Sequence, residues 1–205
     1  SVAVIIVTWN GLEHLQQCLP ALMAQEGVAF ETLVVDNGST DGTVPWLRET
    51  YPDVRLVVNA ENVGFAEANN QGIRTTSAPY VVLLNNDATP APGWLRALVA
   101  AAEREDRVGM VASQICFVHD PERLDSAGIE VDVLGIAWNR HFGGLVSEEP
   151  VHAVEVFGPS AAAALYRRAM LDEIGPFDAR YFAYYEDVEL AWRARRAGWR
   201  CLYTP

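Results

Sequence analysis

The sequence is short of cysteine, of positive charge and of long apolar runs, and each shortage removes a class of explanation. Only three cysteines occur, Cys18, Cys116 and Cys201. No two lie close enough to form a zinc or redox pair, so the odd, scattered set reads as buried thiols in a reducing compartment. The histidines His14, His119, His141 and His152 are isolated and lack metal-ligand spacing. Basic residues number 15 against 27 acidic ones, a net charge of −12. A chain this acidic does not attract a polyphosphate backbone, so no nucleic-acid partner is expected. An anionic small ligand would need a metal or a local cluster of donors. No apolar run reaches the about 18 residues of a membrane-spanning helix, and no signal peptide is visible. No G-x-G-x-x-G follows the first strand, which excludes the dinucleotide fingerprint. No lysine or arginine lies near Trp9-Asn10-Gly11, which argues against a sugar-phosphate nucleotidyltransferase. Ser1 opens directly into a strand and Pro205 ends abruptly, so a trimmed C-terminal end is expected.

What is present is an alternation of strand and helix. Half of the 205 residues are hydrophobic, which suits one domain. Val2–Thr8 is a continuous apolar run, as in a strand buried on both faces. The pattern then predicts a helix over Leu12–Gln25, a strand over Thr32–Val35, a short helix ending near Thr50 and a strand over Val54–Val58. A helix over Phe65–Thr76, a strand over Tyr80–Leu84, a helix over Pro92–Glu103 and a strand over Val108–Ser113 follow. This order predicts an α/β fold with a mostly parallel, twisted sheet and helices on both faces. The second half is less regular. Residues 119–149 read as loops with a hairpin or two, followed by strands at Val154–Phe157 and Ala161–Tyr166. A helix over Val188–Ala197, stopped by Gly198, leads to a last strand at Trp199–Tyr203.

Ligands of such sheets bind beyond the carboxyl ends of the strands, where Thr8, Asn10, Asp36, Asn85, Asn86 and Asp87 fall. Asp87 with neighbouring amides is a poor site for a naked transition metal but suits Mg²⁺ or Mn²⁺ arriving with phosphates. It could equally cap the turn before Pro90. Asp36, at a strand end before Gly38, could bond a nucleoside, or could merely shape an Asx-turn. Glu186 and Asp187 open a helix, whose dipole favours carboxylates, while the tyrosines before them desolvate. Successive helix residues point about 100° apart, so only one of the two acids can face a given substrate. The plain alternative is a capping box from Glu186 to Glu189, with Asp187 as N-cap. Arg193 stands two turns from Asp187, and Trp9, Trp46 and Trp94 suit sugar stacking or core alike.

Five segments together resemble the family 2 glycosyltransferases. They are Val4–Asn10, Val34–Thr43, Asn62–Asn70, Leu83–Asp87, and Gly175–Asp178 leading through Phe182–Leu190 to Gly198, all in family order. The resemblance, closest to the rhamnosyltransferase-like branch, implies the GT-A fold and inversion at the anomeric carbon. It implies one sugar moved from a UDP- or dTDP-linked donor to a hydroxyl of a glycan or lipid-linked acceptor, in cell-surface polysaccharide synthesis. On that likeness Asp36 contacts the nucleobase, with Thr8 and Asn10 by the nucleoside. Gly64, Asn69 and Asn70 line the base and sugar pocket. Asp87 holds Mg²⁺ or Mn²⁺ beside Asn85 and Asn86, and Asp187 is the base, with Glu186 beside it. Residues 1–113 form the nucleotide-sugar half of a single domain and 114–205 the acceptor half. The place expected is the cytoplasm, at the inner membrane face if the acceptor is lipid-linked. Asn85 stands where the family usually has its first metal-motif Asp, and the Gln-x-x-Arg-Trp motif of processive synthases is absent. A non-catalytic nucleotide- or glycan-binding domain on the same fold is the other reading.

Overall fold

A computed structural model describes all residues, 1–205. Its centre is an eight-stranded sheet. In chain order the strands are β1 (Val2–Thr8), β2 (Phe30–Asp36), β3 (Arg55–Val58), β4 (Tyr80–Leu84), β5 (Val108–Ser113), then β10 (Val154–Val156), β11 (Ala163–Arg167) and β12 (Arg200–Thr204). Their spatial order is β10-β12-β5-β11-β4-β1-β2-β3. The pairs β1–β2, β1–β4, β2–β3 and β5–β12 are parallel, whereas β11 runs antiparallel to both β4 and β5. The carboxyl ends of β1, β2, β4 and β5 therefore share one rim, and the amino end of β11 joins them there.

Apolar residues on both sides of each strand explain the layering. Ala3, Ile5, Leu33, Val35, Val81 and Leu83 bury on one face of the sheet. Val2, Val4, Ile6, Val34, Val82 and Leu84 bury on the other. Helices α3 (Phe65–Arg74), α5 (Arg168–Ile174) and α6 (Glu186–Arg196) cover the first face through Ala66, Ile73, Met170, Leu190 and Ala194. Helices α1 (Leu12–Met23), α2 (Thr43–Thr50) and α4 (Trp94–Ala102) cover the second through Leu15, Leu19, Leu47, Leu95 and Leu98. Such two-sided burial is what makes parallel strands read as unbroken apolar runs.

The irregular half resolves into two hairpins over the rim. Strands β6 (Ile115–Phe117) and β7 (Asp120–Ser126) form one, and β8 (Ile129–Val131) and β9 (Ala137–Asn139) the other. Several bounds shift by one or two residues, as where β2 begins at Phe30 and β11 runs Ala163–Arg167, and three further differences have local causes. Helix α4 starts at Trp94, because Gly93 takes φ +80 and Pro92 stays in the turn outside it. Helix α5 was not anticipated: seven residues are too few to display a 3.6-residue period. Helix α6 starts at Glu186 after Tyr185, which caps it at φ 66 without a side-chain hydrogen bond, so neither the capping box nor an Asp187 N-cap forms. All three cysteines are free, and no helix is long and apolar enough to cross a membrane.

Candidate active site

A run of hydrogen bonds ties the polar strand ends into one rim. Asn37, just past β2, donates its backbone N–H to Thr8 O at 2.8 Å. The Thr8 hydroxyl accepts from Asn86 Nδ2 at 3.0 Å. Asn85 donates its N–H to Ala162 O at 2.7 Å, and Ala161 N–H donates to Asp187 Oδ2 at 3.1 Å. Strand ends far apart in sequence, at residues 8, 36, 85 and 161, thus meet the start of α6. Asp36, Asp87 and Asp187 fall on the same rim.

Each aspartate has its own setting. Asp36 is fully buried, and its Oδ1 accepts from the N–H groups of Gly38 (3.1 Å) and Ser39 (2.9 Å). That is the loop-shaping turn read from the sequence. Its Oδ2, however, is buried without a partner. A buried acceptor left unpaired is costly, and therefore marks a place where a ligand donor would fit. Asp87 is exposed just beyond β4. Its negative charge helps burial push the Cys18 thiol up to about 12 and raises Asp125, a β7 carboxyl already raised by burial. The neighbourhood of Asp87 is thus electrically negative. No three His, Cys, Asp or Glu side chains converge as a metal cage. One exposed carboxylate in a negative field suits a hard cation that arrives with phosphate ligands.

Asp187 and Glu186 share a cavity of about 470 Å³, whose walls also include Asn85, Trp138, Asn139 and Ser160. Asp187 is gripped on both oxygens, by Ala161 N–H on Oδ2 and by its neighbour Val188 N–H at 2.8 Å on Oδ1. Burial raises its pKa, and these donors pull it part of the way back. Burial, and then the charge of Asp187, lift Glu186 to about 7. Its Oε2 is buried without a partner, as is the Tyr166 hydroxyl, whose ionisation burial and these two carboxylates oppose.

The segment 182–187 is placed by two special backbone stretches. Gly64 has φ +88, and a Cβ there would stand 2.7 Å from Phe182 O. Its neighbour Phe65 donates an N–H to that same oxygen at 2.6 Å. Tyr184 and Tyr185 both take left-handed backbone, φ 70 and 66, which bulky residues rarely adopt. The turn they make swings α6 into the cavity.

The other residues singled out from sequence divide. Asn10, at φ 49, knits the loop after β1 to the loop after β2: its Oδ1 accepts from Thr40 N–H, and its N–H donates to the Ser39 hydroxyl, both at 2.8 Å. Asn85 lines the cavity, and Asn86 holds Thr8. Asn69 and Asn70 turn away. Asn69 donates to Phe65 O within α3, and buried Asn70 spends both ends of its amide on the backbone of Phe177 at 2.7 and 3.0 Å. Asn70 thus fastens α3 to the segment around Phe177, whereas Asn69 bonds back within its own helix. Arg193 likewise serves structure, pairing with Glu189 and donating to the carbonyls of Ile174, Gly175 and Pro176. Trp9 stands exposed at the rim, while Trp46 and Trp94 pack on the core. Sequence reasoning missed Asp125, Trp138, Asn139 and Tyr166. Three of these lie in the two hairpins, and Tyr166 reads only as a strand apolar.

Comparison with known proteins shows the family and the fold. The profile of the family described as Glycosyl transferase family 2 matches residues 3–175. An N-acetylglucosaminyl-diphospho-decaprenol L-rhamnosyltransferase of Mycobacterium tuberculosis H37Rv is 31% identical over 227 aligned residues, covering 98% of this chain and 73% of that one. The glycosyltransferase AglE of Haloferax volcanii is 33% identical over 61% of this chain and 44% of its own. Among solved structures, the mannosyltransferase PcManGT of Pyrobaculum calidifontis, in complex with GDP-Man and Mn²⁺, superposes with TM-score 0.70 at 24% identity. The match covers all of this chain and 54% of that one. GalNAc-T7 with UDP, GalNAc and Mn²⁺ gives TM-score 0.79 at 14% identity over all of this chain and 42% of its own. These likenesses show the fold, and the chain spans only about half the length of those two structures.

Proposed function

Because the chain belongs to glycosyl transferase family 2, we propose that it moves a single sugar from a UDP- or dTDP-linked donor to a hydroxyl of a glycan or lipid-linked acceptor, inverting the anomeric carbon, in cell-surface polysaccharide synthesis. The observation that carries the reading is the convergence of Asp36, Asp87 and Asp187 on one rim, with Asp187 in the wall of a cavity. Residues 1–113 hold the nucleotide sugar, and residues 114–205 supply the base and the acceptor side.

The orphan Asp36 Oδ2 accepts an N–H or O–H from the nucleoside, beside Thr8 and Asn10. Asp87, next to Asn85 and Asn86, would hold Mg²⁺ or Mn²⁺ with the diphosphate. Bound there, that ion offsets the charge of the departing nucleoside diphosphate. Asp187 takes the proton from the acceptor hydroxyl as that oxygen attacks the anomeric carbon on the face opposite the leaving group. Its two backbone donors fix the carboxylate and offset part of the burial that raises its pKa. Burial and the charge of Asp187 lift Glu186 to about 7, so below neutrality it is mostly protonated and adds little second negative charge there. The lipid-linked acceptor of the mycobacterial relative suggests the same class here, with the protein working at the cytoplasmic membrane face.

A base of this kind contributes about 10²–10⁴-fold in rate, so Asp187→Asn should lose transfer by that factor and keep donor binding. Turnover at the parent rate would remove Asp187 from the role. Asp87→Ala should weaken binding of UDP or dTDP sugars only when Mn²⁺ is present, as calorimetry with and without the ion would read. The alternative, a domain that binds without turning over, predicts nucleotide binding with no sugar released or transferred by the parent protein.

A further inference from the structure

A second cavity, of about 580 Å³, lies against the first. Ile129 and Trp138 belong to the walls of both. Trp138 is half exposed on β9 between the two cavities, and its Nε1 donates to Glu130 Oε2 at 3.2 Å. Beyond it the second cavity is walled by Phe157, Arg140, Glu155 and Arg195. Phe157 is kept in place by the edge of Trp192 at 5.0 Å and by the Arg195 guanidinium 5.6 Å from its centre.

The charges of this cavity decide what class of ligand it suits. Arg140 pairs with Glu149 at 2.8 Å and faces Glu130 at 3.8 Å. Arg195 faces Glu155 at 3.4 Å and donates to Val156 O at 3.1 Å, and Glu155 also receives Arg200 at 2.9 Å. Each guanidinium already has its carboxylate. A phosphate would find no uncommitted cation there, and the protein as a whole carries a charge of −12. What remains is two aromatic surfaces and several planar, hydrogen-bonding groups with spare lone pairs and N–H bonds. That combination serves a neutral sugar ring, whose C–H face lies on an aromatic while vicinal hydroxyls bridge planar polar groups.

We infer that the second cavity is a binding subsite for a neutral sugar unit of the acceptor, one residue removed from the hydroxyl that reacts, with Trp138 as the platform between the two units. This rests on the transfer reading for Asp187, because it takes the first cavity to hold the reacting unit. An acceptor of two or more sugars then spans both cavities, whereas a single sugar fills only one.

The test uses the whole chain and the neutral methyl glycosides of glucose, galactose and N-acetylglucosamine. It sets them beside the methyl glycosides of the corresponding β-linked disaccharides and beside N-acetylglucosamine 1-phosphate. Affinities are read by saturation-transfer NMR and titration, which do not depend on turnover. At least one disaccharide should bind about tenfold tighter than its monosaccharide, the scale of one aromatic contact. The phosphate should add nothing. Trp138→Ala should remove the tenfold preference and Trp138→Phe should keep most of it. Glu155→Gln, outside the first cavity, should lower disaccharide affinity alone. Equal binding of mono- and disaccharides overturns the inference, as does failure of every glycoside to bind, a preference that survives Trp138→Ala, or tighter binding of the phosphate. Release or transfer of sugar from UDP- and dTDP-linked donors by the same samples judges the transfer reading separately. Transfer without a chain-length preference sinks only the second subsite. The preference without transfer leaves a two-unit glycan site and sinks its role as an acceptor subsite.

Discussion

Glu186 and Asp187 are neighbours in the chain with opposite surroundings. Asp187 receives two backbone donors, while one Glu186 oxygen is buried with none. Which of them could act was open in the sequence, since helix geometry says only that they diverge. The two donors on its carboxylate are what favour Asp187 in the proposed role. Glu186 should also leave a mark on stability. Below its ordinary value of 4.5 it is protonated both folded and unfolded, and it costs nothing. Between 4.5 and about 7 the unfolded chain releases the proton and the folded chain keeps it, so stability falls as pH rises, and the penalty is complete above that window. The ceiling is about 3 kcal/mol, at roughly 1.4 kcal/mol per unit. Urea titrations at pH 5 and pH 8 should show this loss in the parent and a flatter profile in Glu186→Gln. Equal slopes in both would assign the shift elsewhere. The three aspartates were legible as strand-end and helix-start acids. Trp138 and Asp125 were not, because nothing in a weakly periodic stretch says which way a hairpin folds over a rim.

At the scale of elements, the site depends on how the segment 182–187 is fastened to α3. Gly64 makes the fastening possible by having no Cβ at the point of contact. Two costs arise together in Gly64→Ala, a left-handed φ and a carbon 2.7 Å from Phe182 O. The substitution should cost about 1–3 kcal/mol, the usual price of backbone strain of this kind. It should also depress transfer more than nucleotide binding, because the added carbon meets Phe182, in the segment that leads to the proposed base. Circular dichroism melts and a kcat-against-KM comparison would show this, and an equal fall in both would place the damage elsewhere. Asn70 is the second fastening. A ligand role suggested itself because the amide pair sits in a motif, yet bonds to Phe177, 107 residues away, cannot be read from sequence spacing. Strands β1, β4 and β5, by contrast, were legible to the residue, since burial on both faces leaves no charged position inside them.

For the whole molecule, the sheet takes strands from both halves of the chain, with β11 inserted between β4 and β5. A fragment ending at Ser113 would leave facing edges of β4 and β5 unpaired and the face under α5 and α6 bare. It should show no cooperative unfolding transition by near-ultraviolet circular dichroism, while residues 1–205 should unfold in one step. A sharp transition in the fragment would mean that the first half is a folding unit by itself. The sequence alone determined the layered α/β class, the parallel first half and the rim on which the acids gather, because two-sided burial and the 3.6-residue period are local properties of a chain. Only the tertiary structure decided which acid is gripped by backbone donors, that Asn70 is a fastener and that a second cavity adjoins the first. Those outcomes depend on contacts between residues tens to more than a hundred positions apart, and on where a hairpin comes to rest, and neither leaves a period in the sequence.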